Sequence, residues 1–187
     1  MLRLGFALTG SFCTFDKIFP LMEKLAVEYE VTPIFSSASA SVDSRFGCAE
    51  DFLSQAELIC RRKALRELNE VEPIGPKKLL DILLIAPCTG NTLAKIANGI
   101  TDTAVTMAYK SHMRNGRPVV LAVSTNDGLG TAAGNIAALL NKKNVYFVPF
   151  GQDDPEGKPT SLVADFAKVP ETLAGALLER QIQPLLL

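Results

Sequence analysis

The chain has 187 residues, 48% of them hydrophobic, which suits one domain over residues 1–187 with a sizeable buried core. Nineteen Lys and Arg stand against twenty Asp and Glu, so no global basic field exists to attract a nucleic-acid backbone or an anionic membrane, and no apolar run approaches the ~18 residues of a bilayer span. The N-terminus lacks a signal-peptide pattern. The four cysteines Cys13, Cys48, Cys60 and Cys88 are too sparse for a disulfide scaffold or a metal site, so the expectation is a soluble cytoplasmic protein with reduced thiols.

Taken in chain order, short apolar runs at residues 2–8, 31–35, 82–86, 118–123 and 145–148 read as strands, each closed by Gly, Ser, Thr, Pro or Asn. Segments of helical period lie between and after them, at 15–28, 49–68, 91–98, 104–114, 128–141 and 170–180. Alternation of this kind produces an α/β three-layer sandwich, a mainly parallel sheet of five or six strands between helices. The stretch from Pro149 to Ser161 carries three prolines and two glycines and reads as a long irregular loop before the terminal helix.

In an open parallel sheet, ligands bind beyond the carboxyl ends of the strands. The residues there are small and polar: Thr9-Gly10-Ser11 after the first strand, Ser36-Ser37-Ala38-Ser39 after the second, Pro87-Cys88-Thr89-Gly90-Asn91-Thr92 after the third and Ser124-Thr125-Asn126-Asp127-Gly128 after the fourth. Hydroxyls, amides and backbone N–H groups at helix starts hold a phosphate without a formal positive charge. Each cluster read alone is also an ordinary helix cap; four converging on one edge point to a phosphorylated ligand. No Gly-x-Gly-x-x-Gly follows the first strand and no Gly-Lys-Ser/Thr is present, which argues against dinucleotide-fingerprint and P-loop readings.

The segment from Ala86 to Asp102, with Pro87-Cys88-Thr89-Gly90-Asn91-Thr92 at its start, resembles the Pro-Ala-Ser-Ala-Asn-Thr signature of the homo-oligomeric flavin-containing cysteine decarboxylases and flavin prenyltransferases. Thr9-Gly10-Ser11 is similar to the first turn of those proteins. The resemblance implies a flavodoxin-like, Rossmann-like fold, flavin mononucleotide (FMN) as cofactor and a trimer-based homo-oligomer with flavin at the boundaries between protomers. The first turn and Ser36 would lie near the phosphate, and Asn91 and Thr92 near the flavin.

A narrower resemblance, to the B-subunit family of the dipicolinate synthases of spore-forming bacteria, rests on residues 7–15, Pro87-Cys88-Thr89-Gly90-Asn91-Thr92 and 124–130. It implies a flavoprotein subunit in the mother-cell cytoplasm. Such a subunit works with the A subunit of dipicolinate synthase, a dehydrogenase-type partner carrying NAD(P), to oxidise dihydrodipicolinate during sporulation. The cofactor-binding set that follows is Thr9, Gly10, Ser11, Ser36, Ser37, Pro87, Cys88, Thr89, Gly90, Asn91, Thr92, Ser124, Thr125 and Asn126.

Departures from the wider superfamily narrow the chemistry. The decarboxylases carry a catalytic His before the third strand, where this chain reads Val71-Glu72-Pro73-Ile74. The only histidine, His112, falls inside a predicted helix, and a solvated or packed role is expected. Ser124-Thr125-Asn126 matches neither the decarboxylases' Pro-x-Met-Asn clamp nor the prenyltransferases' Arg-Glu pair, and without that Arg a prenyl phosphate loses a bidentate partner. Cys88 has no evident base and reads as packing or a flavin contact. Asp102 reads as a helix cap; Asp127 reads as a cap for a helix at Gly128 or as a base for the proton lost on aromatisation. No catalytic residue is assigned. A self-sufficient decarboxylase or prenyltransferase and a non-catalytic protein with a structural or regulatory role stand as the alternatives.

Overall fold

The structure, a computed structural model, describes residues 1–187. Five parallel strands form its sheet in the order β2 (Tyr29–Phe35), β1 (Leu2–Leu8), β3 (Ile82–Cys88), β4 (Val119–Thr125) and β5 (Val145–Phe147). Every residue of β3 is buried, as are the first six of β4, as continuous apolar runs require in a parallel sheet covered on both faces. Strand β2 lies at the edge, the place where a sheet tolerates Pro33. Its outer side is closed by Leu65, which donates to the Pro33 carbonyl at 2.9 Å and accepts from the Phe35 N–H at 2.9 Å.

The helices are α1 (Phe15–Glu28), α2 (Ser37–Ser41), α3 (Ala49–Cys60), α4 (Leu68–Val71), α5 (Gly90–Ala97), α6 (Ala104–Met113), α7 (Ala133–Leu140) and α8 (Val169–Leu177). Helices α1 and α8 meet through the turn Phe166–Lys168, whereas α4 packs on α6, and α5 packs on α6 and α7. A core cluster of 49 buried residues runs through the whole arrangement. Four aromatic rings, Phe12, Phe15, Phe19 and Phe52, seat α3 on α1 with centroid separations of 4.8 to 5.8 Å.

Two further strands depart from the expected five or six. The short strands β6 (Phe150–Gly151) and β7 (Leu162–Ala164) pair antiparallel with each other, and β7 pairs antiparallel with Ser124 and Thr125 of β4. The irregular stretch from Pro149 to Ser161 is therefore bracketed by strands. Helix α3 stops at Cys60 rather than continuing to 68, because Arg61 takes a left-handed conformation at φ 51° and ends it. Helix α7 begins at Ala133 instead of Gly128, after a turn in which Gly130 and Ala132 both donate to the Asp127 carbonyl. Asp127 is thus not a helix cap. Asp102 is not one either: Thr103 caps α6, in a reciprocal box with Thr106. No helix is long and apolar enough to cross a membrane.

Candidate functional site

The strand order reverses between β1 and β3, and the crevice above such a switch point is where open α/β sheets bind ligands. The crossovers there are tied together by one buried side chain. The Thr9 hydroxyl donates to the Pro87 carbonyl at 2.6 Å and accepts the Thr89 N–H at 3.1 Å, reaching past the shift in register between Ile85 and Cys88. Beside it, Ser11 and Ser124 share a hydroxyl hydrogen bond at 2.8 Å, linking the turn after β1 to the end of β4.

A cleft of about 480 Å³ opens at this point, lined by Thr9, Gly10, Ser36, Ser37, Thr89, Asn91 and Thr92 together with Ala38, Lys95, Asp102 and Thr103. Ser36 caps α2, accepting from the Ser39 N–H at 3.2 Å. Ser39 in turn donates to the Leu8 carbonyl at 2.9 Å and fixes the second turn against the first. Thr89 caps α5 by accepting from the Thr92 N–H at 3.3 Å. After this internal pairing, the backbone N–H groups of Gly10, Ser37, Ala38, Gly90 and Asn91 hydrogen-bond to no protein acceptor. They cluster at one polar edge beside helix starts, the arrangement that accommodates an anion.

Of the residues named from sequence, seven line this cleft: Thr9, Gly10, Ser36, Ser37, Thr89, Asn91 and Thr92. Thr9 is 1% exposed and its hydroxyl is committed to joining loops. Ser11 and Ser124 lie alongside, occupied with each other. The rest take different places. Pro87 and Cys88 are buried, and burial pushes the Cys88 thiol well up, so that it is a packed thiol. Gly90 packs under the β4 turn, where the Thr125 hydroxyl donates to Asp127 Oδ1 at 2.5 Å. Asn126 is exposed, and its carbonyl accepts from the Thr160 hydroxyl at 2.7 Å. His112 is fully buried. Its Nε2 lies 3.0 Å from the Pro118 carbonyl, and burial depresses its pKa to about 4, which is the packed role and not a catalytic one.

Sequence reasoning missed the rim pair Lys95 and Asp102. Lys95 Nζ lies 2.9 Å from both carboxylate oxygens of Asp102, and this hydrogen bond holds the Asp102 carboxyl below the usual range. A single basic residue one turn into the helix that starts at the cleft was the available signal.

The family model described as Flavoprotein matches residues 1–159. The B subunit of dipicolinate synthase from Bacillus subtilis (strain 168) is 45% identical over 185 residues, covering 98% of this chain and 92% of that one. The chain belongs to the Flavoprotein family, among the dipicolinate synthase B subunits. This flavoprotein is also similar to a solved structure, the dipicolinate synthase B subunit of Bacillus halodurans C, with TM-score 0.90 and 44% identity over 100% of this chain and 96% of that one. A more distant structure, Burkholderia xenovorans DmrB in complex with FMN, described as a cubic protein cage for redox transfer, matches with TM-score 0.67 and 20% identity. It covers 95% of this chain and 96% of that one, and it shares the flavoprotein's fold.

Proposed function

We propose that this chain is the FMN-binding B subunit of a dipicolinate synthase, acting with a dehydrogenase-type A subunit in the oxidation of dihydrodipicolinate to dipicolinate during sporulation. The observation that carries the reading is the cleft at the β1–β3 switch point, where four lining residues, Gly10, Ser37, Ala38 and Asn91, have backbone N–H groups without protein acceptors and Ser37 adds a hydroxyl. A phosphate monoester fits that donor set: it needs several hydrogen-bond donors, and helix starts supply them with favourable dipole.

Gly10, Ser37, Asn91 and Thr92 are the residues we assign to direct contact with the phosphorylated end of FMN. Thr9, Ser36 and Ser39 hold the turns in register, and Lys95, paired with Asp102, offers one cation at the rim. Ala38 is the one hydrophobic side chain lining the cleft, so one protomer offers a flavin ring little apolar cover, and in the trimer-based assembly proposed here a second copy would supply the rest. A flavin held there supplies the capacity to accept two electrons.

Aromatising the dihydropyridine ring removes a hydride equivalent and a proton; a nicotinamide nucleotide bound by the dehydrogenase-type partner would supply the final acceptor of the hydride equivalent, and solvent would receive the proton. Asp127 is exposed and outside the cleft lining, so no base is assigned to this chain.

The test combines the purified chain with its dehydrogenase-type partner, NAD(P)⁺ and dihydrodipicolinate, with and without FMN, and follows reduced nicotinamide by absorbance. The reading predicts turnover that needs both chains and rises with FMN. Full turnover by the partner without this chain would contradict it.

A further inference from the structure

Away from the flavin cleft, a second cleft of about 340 Å³ opens between the end of α5, the outer face of α6 and the turn after α7. Its cations come from two walls: Lys110 in the last turn of α6 and Arg114 at its C-terminal cap stand four residues apart, and Lys142 faces them from the turn before β5. None of the three is in an ion pair, and no Asp or Glu lines the cleft. Placement at the C-terminal end of α6 accounts for Lys110 and Arg114 through the helix dipole. Lys142 likewise follows the C-terminal end of α7, and its ammonium sits 5.7 Å from the ring centroid of Tyr109, so two helix ends bring their cations to one cleft.

Besides the cations the lining is mainly apolar, with Ile96, Ile100, Met113 and the Tyr109 ring alongside Thr101 and Thr106. Burial raises the Tyr109 pKa to about 12, so the ring presents no negative charge near neutral pH. The combination of unpaired cations on two sides and a mainly apolar lining favours an anion with an apolar body over a bare inorganic anion. The larger cleft beside α1 offers no such selection, because the carboxylates Asp153 and Asp165 line it along with Lys17 and Lys24.

We propose that the cleft lined by Lys110, Arg114, Lys142 and Tyr109 binds an aromatic dicarboxylate, its ring on the apolar lining and its carboxylates held between α6 and Lys142. The identification of that ligand class with the reaction product rests on the function proposed above. The cleft lies next to the flavin cleft in the chain, since Thr101 lines one and Asp102 and Thr103 line the other. Occupancy by product there would bear on the segment that carries the Lys95–Asp102 pair.

The experiment is calorimetric titration of the full-length chain with pyridine-2,6-dicarboxylate in metal-free buffer, repeated with glutarate and with inorganic phosphate. A double variant, Arg114→Gln with Lys142→Gln, and the single variant Lys110→Glu are titrated in parallel; all three side chains are exposed, and circular dichroism confirms folding. The inference predicts binding of the aromatic diacid, weakened by about tenfold or more in either variant, roughly 1.4 kcal/mol, and weaker binding of glutarate and phosphate. No binding of the diacid, equal affinity in the variants, or equal binding of phosphate would overturn it. FMN titration of the same samples reads the flavin cleft separately: FMN binding without diacid binding overturns this inference and leaves the proposed function standing. Diacid binding without FMN binding overturns the flavin reading instead.

Discussion

The Thr9 hydroxyl donates to the Pro87 carbonyl at 2.6 Å and accepts the Thr89 N–H at 3.1 Å, so one side chain joins the turns after β1 and β3 across the reversal in strand order. Thr9→Val keeps the shape and deletes both bonds. Leaving a buried N–H and C=O unpaired costs about 1–3 kcal/mol, and the displaced turns weaken FMN binding as well. Thr9→Ser keeps the hydroxyl and restores most of both. Urea denaturation and FMN titration of the two variants check this.

Asn91 is exposed on the cleft wall. Asn91→Asp places a carboxylate beside the proposed phosphate, and like-charge repulsion at partly solvated range weakens FMN binding by about tenfold, roughly 1.4 kcal/mol. Stability changes by no more than about 0.5 kcal/mol, as for a surface substitution. A flavin titration of Asn91→Asp alongside the parent chain reads the effect directly.

A Cβ at Gly90 would stand 2.6 Å from the Thr125 hydroxyl and 2.9 Å from Asp127 Oδ1. Gly90→Ala therefore forces the β4 turn and the α5 start apart. Overpacking of this kind costs about 1–3 kcal/mol, and FMN affinity falls with it. A thermal melt and a flavin titration on this variant separate the two losses.

His112 sets an acid limit to stability. Its folded pKa is depressed from 6.5 to about 4, first by burial and further by Arg117, against the opposing influence of the Pro118 carbonyl and Asp81. The unfolded chain thus binds a proton that the folded chain refuses as pH falls from 6.5 towards 4. Stability drops across that window by about 3 kcal/mol and is insensitive to this group below it. Asp81, held down to about 2 by the Arg3 hydrogen bond, loses its contribution only at lower pH, below its ordinary 3.8. His112→Gln retains a donor for Pro118 and flattens the 6.5-to-4 slope in pH-dependent urea melts; an unchanged slope would contradict the assignment.

The sheet was legible because β1 and β3 to β5 are apolar runs of strand length closed by Gly, Pro and small polar residues, and its loops because Ser, Thr and Asn recur after the first four strands. Strands β6 and β7 were not legible: two and three residues long, they exist because β7 pairs with Ser124 and Thr125 and β6 pairs with β7, contacts with no local period. The early stop of α3 hangs on the left-handed Arg61, a residue type that does not announce that conformation. Within the site, sequence marked the turns that line the cleft but not the direction of each side chain. Thr9, Ser36 and Thr89 spend their hydroxyls on neighbouring turns and caps, and Cys88 points into the core. The Lys95–Asp102 pair escaped notice because Asp102 resembles a cap in sequence, a role that Thr103 fills in the fold.

The most direct test of the central claim is a visible absorbance titration of the purified chain with FMN, with Asn91→Asp as the paired control. The account predicts a saturable shift of the flavin bands at about one FMN per chain, weakened about tenfold by Asn91→Asp. An unshifted flavin spectrum at every FMN concentration, or identical titrations for the two chains, would contradict it.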